Sequence, residues 1–152
     1  GVSSAASDVY KRQVDIHSTR MLMAHGFLAK IFEVFDHHKT AVDMVTTTEV
    51  SVSLTIDRTD QLAAITAKLE KFAEVNHTPG QAIVCVVGED IRYTPGISGK
   101  IFKAVEGVNV RMISQGASRL NISFVISEED LQTAVEALHQ NLFSNVDETV
   151  FA

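Results

Sequence analysis

One unit of this chain is written twice, and that constrains its fold more than any other feature. The stretch from Gly26 to Asp57 carries an apolar-faced segment, a short apolar run, a polar turn and a cleanly alternating run. A looser copy follows. Lys30-Ile31-Phe32 returns as Lys100-Ile101-Phe102, and Ser51-Val52-Ser53-Leu54-Thr55-Ile56 returns as Asn121-Ile122-Ser123-Phe124-Val125-Ile126, both offset by 70 residues. Between them Val42-Asp43-Met44-Val45-Thr46 returns as Val110-Arg111-Met112-Ile113-Ser114, offset by 68. A period this long marks a duplicated domain, because solenoid repeats are shorter. A length of 152 residues accommodates two small domains.

Taken in order, each copy has the same grammar. Val14 to Ser18 alternates and predicts a first strand. Phe27, Ile31 and Phe35 recur at four-residue spacing, which predicts a helix from about Phe27 to His37. Val42 to Thr46 and Glu49 to Asp57 predict two further strands. In the second of these, Val50, Val52, Leu54 and Ile56 face one way and Ser51, Ser53 and Thr55 the other. Thr59 or Asp60 is placed to cap a helix reaching about Ala73, with Leu62, Ile65, Leu69 and Phe72 as its stripe. Val75 to Thr78 is a short strand, and Pro79-Gly80 a turn and module boundary.

The second copy predicts a strand at Gln81 to Val87, a helix at about Ser98 to Glu106 and strands at Asn109 to Ser114 and Leu120 to Ile126. Ser127 with Asp130 resembles a capping box for a helix carrying Leu131, Val135, Leu138 and Leu142. Val146 to Phe151 alternates as a last strand. The order strand, helix, strand, strand, helix, strand is the ferredoxin-like βαββαβ arrangement, an α+β fold with both helices on one sheet face. Residues 1–13, GVSSAASDVYKRQ, show no period and read as a non-native or disordered leader.

Composition narrows the function. With 45% hydrophobic and 21% charged residues the chain is globular. A net charge of -6 argues against unspecific nucleic-acid binding. The single cysteine, Cys85, forms no internal disulfide, and the apolar run Ile83 to Val87 is too short for a bilayer. A cytoplasmic protein is expected, with neither nucleic acid nor membrane among its partners. Gly96 to Lys100 lacks the spacing of a phosphate loop, and Asp36-His37-His38 lacks a second ligand cluster for a metal. No nucleophile–base pair stands out, so no catalytic residue is assigned.

The first copy holds residue types that an amino-acid site requires. A free amino acid asks for backbone N–H groups at a helix start, a carboxylate for its ammonium and a shaped wall for its side chain. Gly26, Phe27 and Leu28 open the first helix. Asp43 sits beside Val42 at a strand start, Glu49 opens the facing strand, and Met21 and Met23 supply adaptable packing. The plainer alternative makes Asp43 a turn residue and Glu49 an exposed strand end.

These same residues resemble a known family. The segment MLMAHGFLAKIFEVFDHHKTAVDMVTTTEVSVSLTID is similar to the first ACT domain of aspartokinases, through Gly26 to Ala29, Val42-Asp43 and Thr46 to Val52. Gly96-Ile97-Ser98, Gln115 to Ser118 and Asn121 to Ser123 resemble the second. The resemblance covers about Val14 to the end. It implies two tandem ACT domains, the second (81–144) inserted before the last strand of the first (14–80 plus 145–152). It implies feedback binding of lysine at an ACT–ACT homodimer interface, through Met21, Gly26, Phe27, Leu28, Val42, Asp43, Thr47, Thr48 and Glu49. The family's polar residues are replaced at Ala24 and Ala41. Arg111 stands where the first copy has Asp43 and would repel an ammonium, so the second copy is expected to be structural, with Gln115 and Asn121 bonding across strands or subunits. The family's catalytic kinase motif is absent, so this chain is expected not to be an enzyme by itself. No cofactor is expected here, ATP and magnesium belonging to the kinase domain. The alternative is a stand-alone ACT module for dimerisation or amino-acid binding.

Overall fold

The computed structural model describes residues 2–18 and 26–142. It divides into two compact units, one of residues 11–79 and one of residues 1–10 with 80–152. Each is an antiparallel sheet with two helices.

In the 11–79 unit, β1 (Val2–Ser18) contributes its second half. Helix α1 (Phe27–His37), β2 (Val45–Thr47), β3 (Ser51–Ile56), α2 (Leu62–Leu69) and the first half of β4 (Ala73–Gly88) follow. The strand order β2-β3-β1-β4 is that of the ferredoxin-like fold. Strand β3 is central, pairing with β1 from Arg12↔Ile56 to His17↔Ser51 and with β2 from Val45↔Leu54 to Thr47↔Val52. This register puts Val14, Ile16, Val52, Leu54 and Ile56 on one face, where they are buried against Phe27, Ile31 and Phe35 of α1 and Leu62, Ile65 and Leu69 of α2. The alternation in β3 and the four-residue spacing in α1 are therefore two halves of one core. The opposite face is polar. There Asp15 accepts hydrogen bonds from Ser53 (2.6 Å) and Gln13 (2.9 Å).

The second unit repeats the plan with β4, α3 (Ile97–Ala104), β5 (Met112–Ser114), β6 (Asn121–Ser127) and α4 (Leu131–Leu142). Strand β6 pairs with β4 from Gln81↔Ser127 to Val87↔Asn121 and with β5 from Met112↔Val125 to Ser114↔Ser123. Val84, Val86, Ile122, Phe124 and Ile126 meet Ile97, Ile101, Ala134 and Leu138 of the helices. Phe102 lies edge-on to Phe124, ring centroids 5.5 Å apart.

Several local expectations change. Residues 2–13 are not outside the fold: they belong to β1, and Ala5 is buried in the core of the second unit with Val9 against it. Small side chains such as Ala5 fit beneath helices without the long apolar period that sequence reading looks for. The strand changes backbone conformation at Tyr10 (φ 62), where it passes from one unit to the other. Pro79-Gly80 is no turn but lies within β4, with Gly80 at φ 67. Strand β2 starts at Val45 rather than Val42, because Asp43 and Met44 both bond to Thr55: Asp43 N–H to its carbonyl (2.9 Å), Met44 N–H to its hydroxyl (3.1 Å) and Thr55 N–H back to the Met44 carbonyl (3.0 Å). Two residues facing one is a bulge, which interrupts the regular ladder. Helix α2 begins after Gln61 with no side-chain cap, so neither Thr59 nor Asp60 caps it, and Ser127 makes no capping bond before the 3-10 turn Glu128–Asp130. The expected strand at 146–151 lies outside the described residues.

Leu54 and Phe124 are wholly buried. Leu54→Ala and Phe124→Ala should each lower unfolding free energy by about 2–5 kcal/mol in urea titrations, whereas Ala63→Ser on the exposed side of α2 should stay within about 0.5 kcal/mol. Equal effects from all three would contradict the cores described.

Candidate functional site

Helix α1 opens on Gly26, whose φ of 83 is left-handed. That conformation suits glycine, since a Cβ there is strained. Among the described residues, leaving aside its chain neighbours and its own helix backbone, nothing lies within 4 Å of where that Cβ would be. Phe27 turns inward, its ring edge-on to Phe72 at 6.2 Å, while Leu28 is 41% exposed. The same device opens α3, where Gly96 has φ 78 and Ile97 turns inward.

The turn between β2 and β3 is held by its own threonines. Thr48 N–H donates to the Ser51 carbonyl (2.9 Å), and the Thr48 hydroxyl accepts from Ser51 N–H (3.2 Å). The Thr47 hydroxyl donates to the carbonyls of Thr48 (2.9 Å) and Ser51 (3.2 Å). Thr47, Thr48 and Glu49 are all exposed. This turn shares an end of the unit with the close of β1, because Ser18 N–H donates to the Val50 carbonyl (2.7 Å).

Val42 and Asp43 lie at the other end of β2. The four residue steps from Asp43 to Thr47 carry the chain along the strand for roughly 13 Å. Asp43 joins the bulge on Thr55, and its side chain is 29% exposed. It is engaged by Lys11, whose ammonium lies 3.0 Å from Asp43 Oδ2 and 2.5 Å from Asp57 Oδ1. Lys11 itself is 2% exposed. A buried ammonium between two carboxylates is held by charge-assisted hydrogen bonds, since an unpaired one is costly.

The structure thus brings Thr47, Thr48 and Glu49 together at one end of the strands and sets Val42 and Asp43 at the other. Phe27 and its helix start lie against Phe72, just before β4 begins, whereas His37, His38 and Lys39 at the end of α1 share a surface cleft with Arg58, Asp60 and Gln61 beyond β3. Gly26, Phe27 and Leu28 therefore belong to the turn's end, and Asp43 and Glu49 are not neighbours. Met21 lies outside the described residues. Sequence reading missed Lys11 and Asp57. The signal was present, because Lys11, Gln13, Asp15 and His17 continue one alternating series, but Arg12 interrupts the apolar partner series of Val14 and Ile16.

In the second unit the duplication holds down to single bonds. Arg111 N–H donates to the Val125 carbonyl at 2.8 Å, the counterpart of Asp43 on Thr55, so the charge is reversed on a conserved backbone position within the chain. Gln115 is exposed, and Asn121 opens β6 opposite Val87. Lys103 donates to Glu106 at 2.7 Å, and that hydrogen bond, with the Glu106 charge, raises the lysine pKa above its usual value.

Comparison with known proteins agrees with this double architecture. Residues 14–72 and 84–142 each match the ACT domain. The chain belongs to the ACT domain family, as two such domains in tandem. Its relatives are aspartokinases. It is 42% identical to aspartokinase 1, chloroplastic, of Arabidopsis thaliana over 95% of its own length and 28% of the relative's. A putative C-terminal regulatory domain of aspartate kinase from Porphyromonas gingivalis W83 superposes with a TM-score of 0.84 at 35% identity, covering 93% of this chain and 97% of that one. E. coli aspartokinase III, solved in complex with lysine and aspartate in a T-state, gives a TM-score of 0.83 at 34% identity, over 94% of this chain and 33% of that one. The chain thus spans about a third or less of the full-length enzymes it resembles.

Gly26→Ala should cost about 1–2 kcal/mol through backbone strain alone, and Gly26→Asn less, since asparagine tolerates a left-handed φ better. Thermal denaturation of the two variants checks this. A larger loss for asparagine would point to crowding instead.

Proposed function

We propose that this tandem pair is the regulatory region of an aspartokinase and that its 11–79 unit binds lysine for feedback inhibition. The geometry that carries the reading is the separation of the candidate residues. An amino acid's carboxylate and α-ammonium are one carbon apart, so a helix start at one end of β2 and Asp43 at the other cannot both grip them within one protomer. Two copies meeting through these units would bring the Gly26–Leu28 helix start and the Thr47–Glu49 turn of one against Val42 and Asp43 of its partner. An ACT–ACT homodimer interface is then the binding site itself.

The chemistry favours a cationic amino acid. The helix start offers N–H groups to a carboxylate, Glu49 and Asp43 offer negative charge to two ammonium groups, and Leu28 offers an apolar wall. The likeness to an enzyme solved with lysine supports the same choice. Arg111 at the matching position of the second unit removes that charge, which leaves the second unit a structural role, with Gln115 and Asn121 toward strand or subunit contacts. Inhibition further requires that lysine bind one state of an attached kinase better than another. The kinase, with its ATP and magnesium, and a cytoplasmic setting belong to this reading of the whole protein.

Isothermal titration of the chain should give heat with lysine and none with threonine or methionine. Asp43→Asn should weaken lysine binding at least about tenfold, the loss of roughly one charge-assisted hydrogen bond. The oligomeric state by light scattering should be dimeric with lysine bound. A folded dimer that takes up no lysine would leave a dimerisation module instead.

A further inference from the structure

The turn that carries Thr47, Thr48 and Glu49 hangs on one residue of β3. The Ser51 carbonyl accepts from Thr48 N–H (2.9 Å) and from the Thr47 hydroxyl (3.2 Å), and Ser51 N–H donates to the Thr48 hydroxyl (3.2 Å). Ser51 is in turn tied to β1. It stands opposite His17 in the register, and His17 Nδ1 and Ser51 Oγ lie 2.8 Å apart, a hydrogen bond in which the imidazole tautomer sets which atom donates. The next residue, Ser18, holds the Val50 carbonyl through its backbone N–H (2.7 Å). We infer that His17 is a positioning residue of the proposed effector site. It fixes Ser51, and through Ser51 it fixes the turn that presents Thr47, Thr48 and Glu49 to the ligand.

Three observations argue for this over an incidental cross-strand pair. The bonds are continuous, from the imidazole to the Ser51 side chain and from the Ser51 backbone to both threonines. The turn is exposed, so hydrogen bonds rather than apolar burial hold it, and segments held that way are the first to open. The duplication supplies a control. In the second unit Val87 stands opposite Asn121, at the places that His17 and Ser51 hold in the first, each offset by 70 residues. Valine has no side-chain donor or acceptor. The link therefore belongs to the copy proposed to bind, as does the acid of Asp43.

Loosening of this kind weakens binding without touching the ligand. A turn in place about one quarter of the time raises the apparent dissociation constant about fourfold. The inference rests on the proposed lysine site, and the test separates the two. Lysine titrations and urea unfolding are run on the unaltered chain, His17→Val, His17→Asn and Ser51→Ala. Valine suits a strand better than asparagine does, but only asparagine sets a polar atom where Nδ1 stood. Stability and affinity should therefore rank these two variants in opposite order. His17→Val should bind lysine about three- to fivefold more weakly, the loss of roughly one exposed hydrogen bond, and His17→Asn should recover most of that loss. Ser51→Ala should match His17→Val, and the double variant should lose no more than either alone. Unchanged lysine affinity in His17→Val or in Ser51→Ala overturns the positioning role and leaves the lysine site standing. Equal losses in His17→Val and His17→Asn also overturn it. Absence of lysine binding by the unaltered, folded chain overturns the site and the positioning role together. If His17→Val fails to fold, the Ser51→Ala titration decides alone.

Discussion

Each unit depends on the burial of one sheet face beneath two helices. The central strands are completely covered on that face, Val52, Leu54 and Ile56 in one unit and Ile122, Phe124 and Ile126 in the other. A one-residue slip of either strand would turn these side chains outward and bring Ser51, Ser53 and Thr55, or Asn121 and Ser123, into the core. Register is therefore held by the hydrophobic pattern, and everything at the strand ends is placed by it: the bulge that carries Asp43, the turn that carries Thr47 to Glu49, and the start of α1.

The duplication shows which parts of the plan are backbone and which are chemistry. Both copies open their first helix on a glycine with positive φ, and both send a backbone N–H from the same position to the central strand, Asp43 to the Thr55 carbonyl and Arg111 to the Val125 carbonyl. These are requirements of a short helix laid back across a sheet. The side chain carried by the bulge is not bound by them. It projects from an irregular position at the rim of the core, so aspartate in one copy and arginine in the other are compatible with the same backbone. A change of charge at one such position is enough to give two copies of one fold different ligands, or to give one of them none.

The polar face of the first sheet also shows how a charged group is made tolerable. Asp15 is half-buried and takes its hydrogen bonds from Ser53 and Gln13. Lys11 is more deeply buried and takes its compensation from two carboxylates. Neither arrangement follows from local propensity. Both follow from antiparallel register, which sets Asp15 opposite Ser53 and brings the Lys11 end of β1 to the Asp57 end of β3.

Periodicity alone determined the helices, the central strands and the repeat, because a core face must recur every second residue in a strand and every third or fourth in a helix. It determined less well whatever lacks a long apolar series. Residues 2–13 enter a sheet through backbone pairing and small side chains, and Pro79-Gly80 sits inside a strand although the dipeptide favours a turn. The candidate binding residues were legible as types and as a family resemblance, but their grouping was not. Sequence order puts Asp43 and Glu49 six residues apart and suggests one cluster, while an extended strand carries them to opposite ends of the unit. The partner of Asp43 was decided by tertiary structure alone: Lys11 is 32 residues away in sequence and meets it only because β1 and β2 run alongside the same central strand.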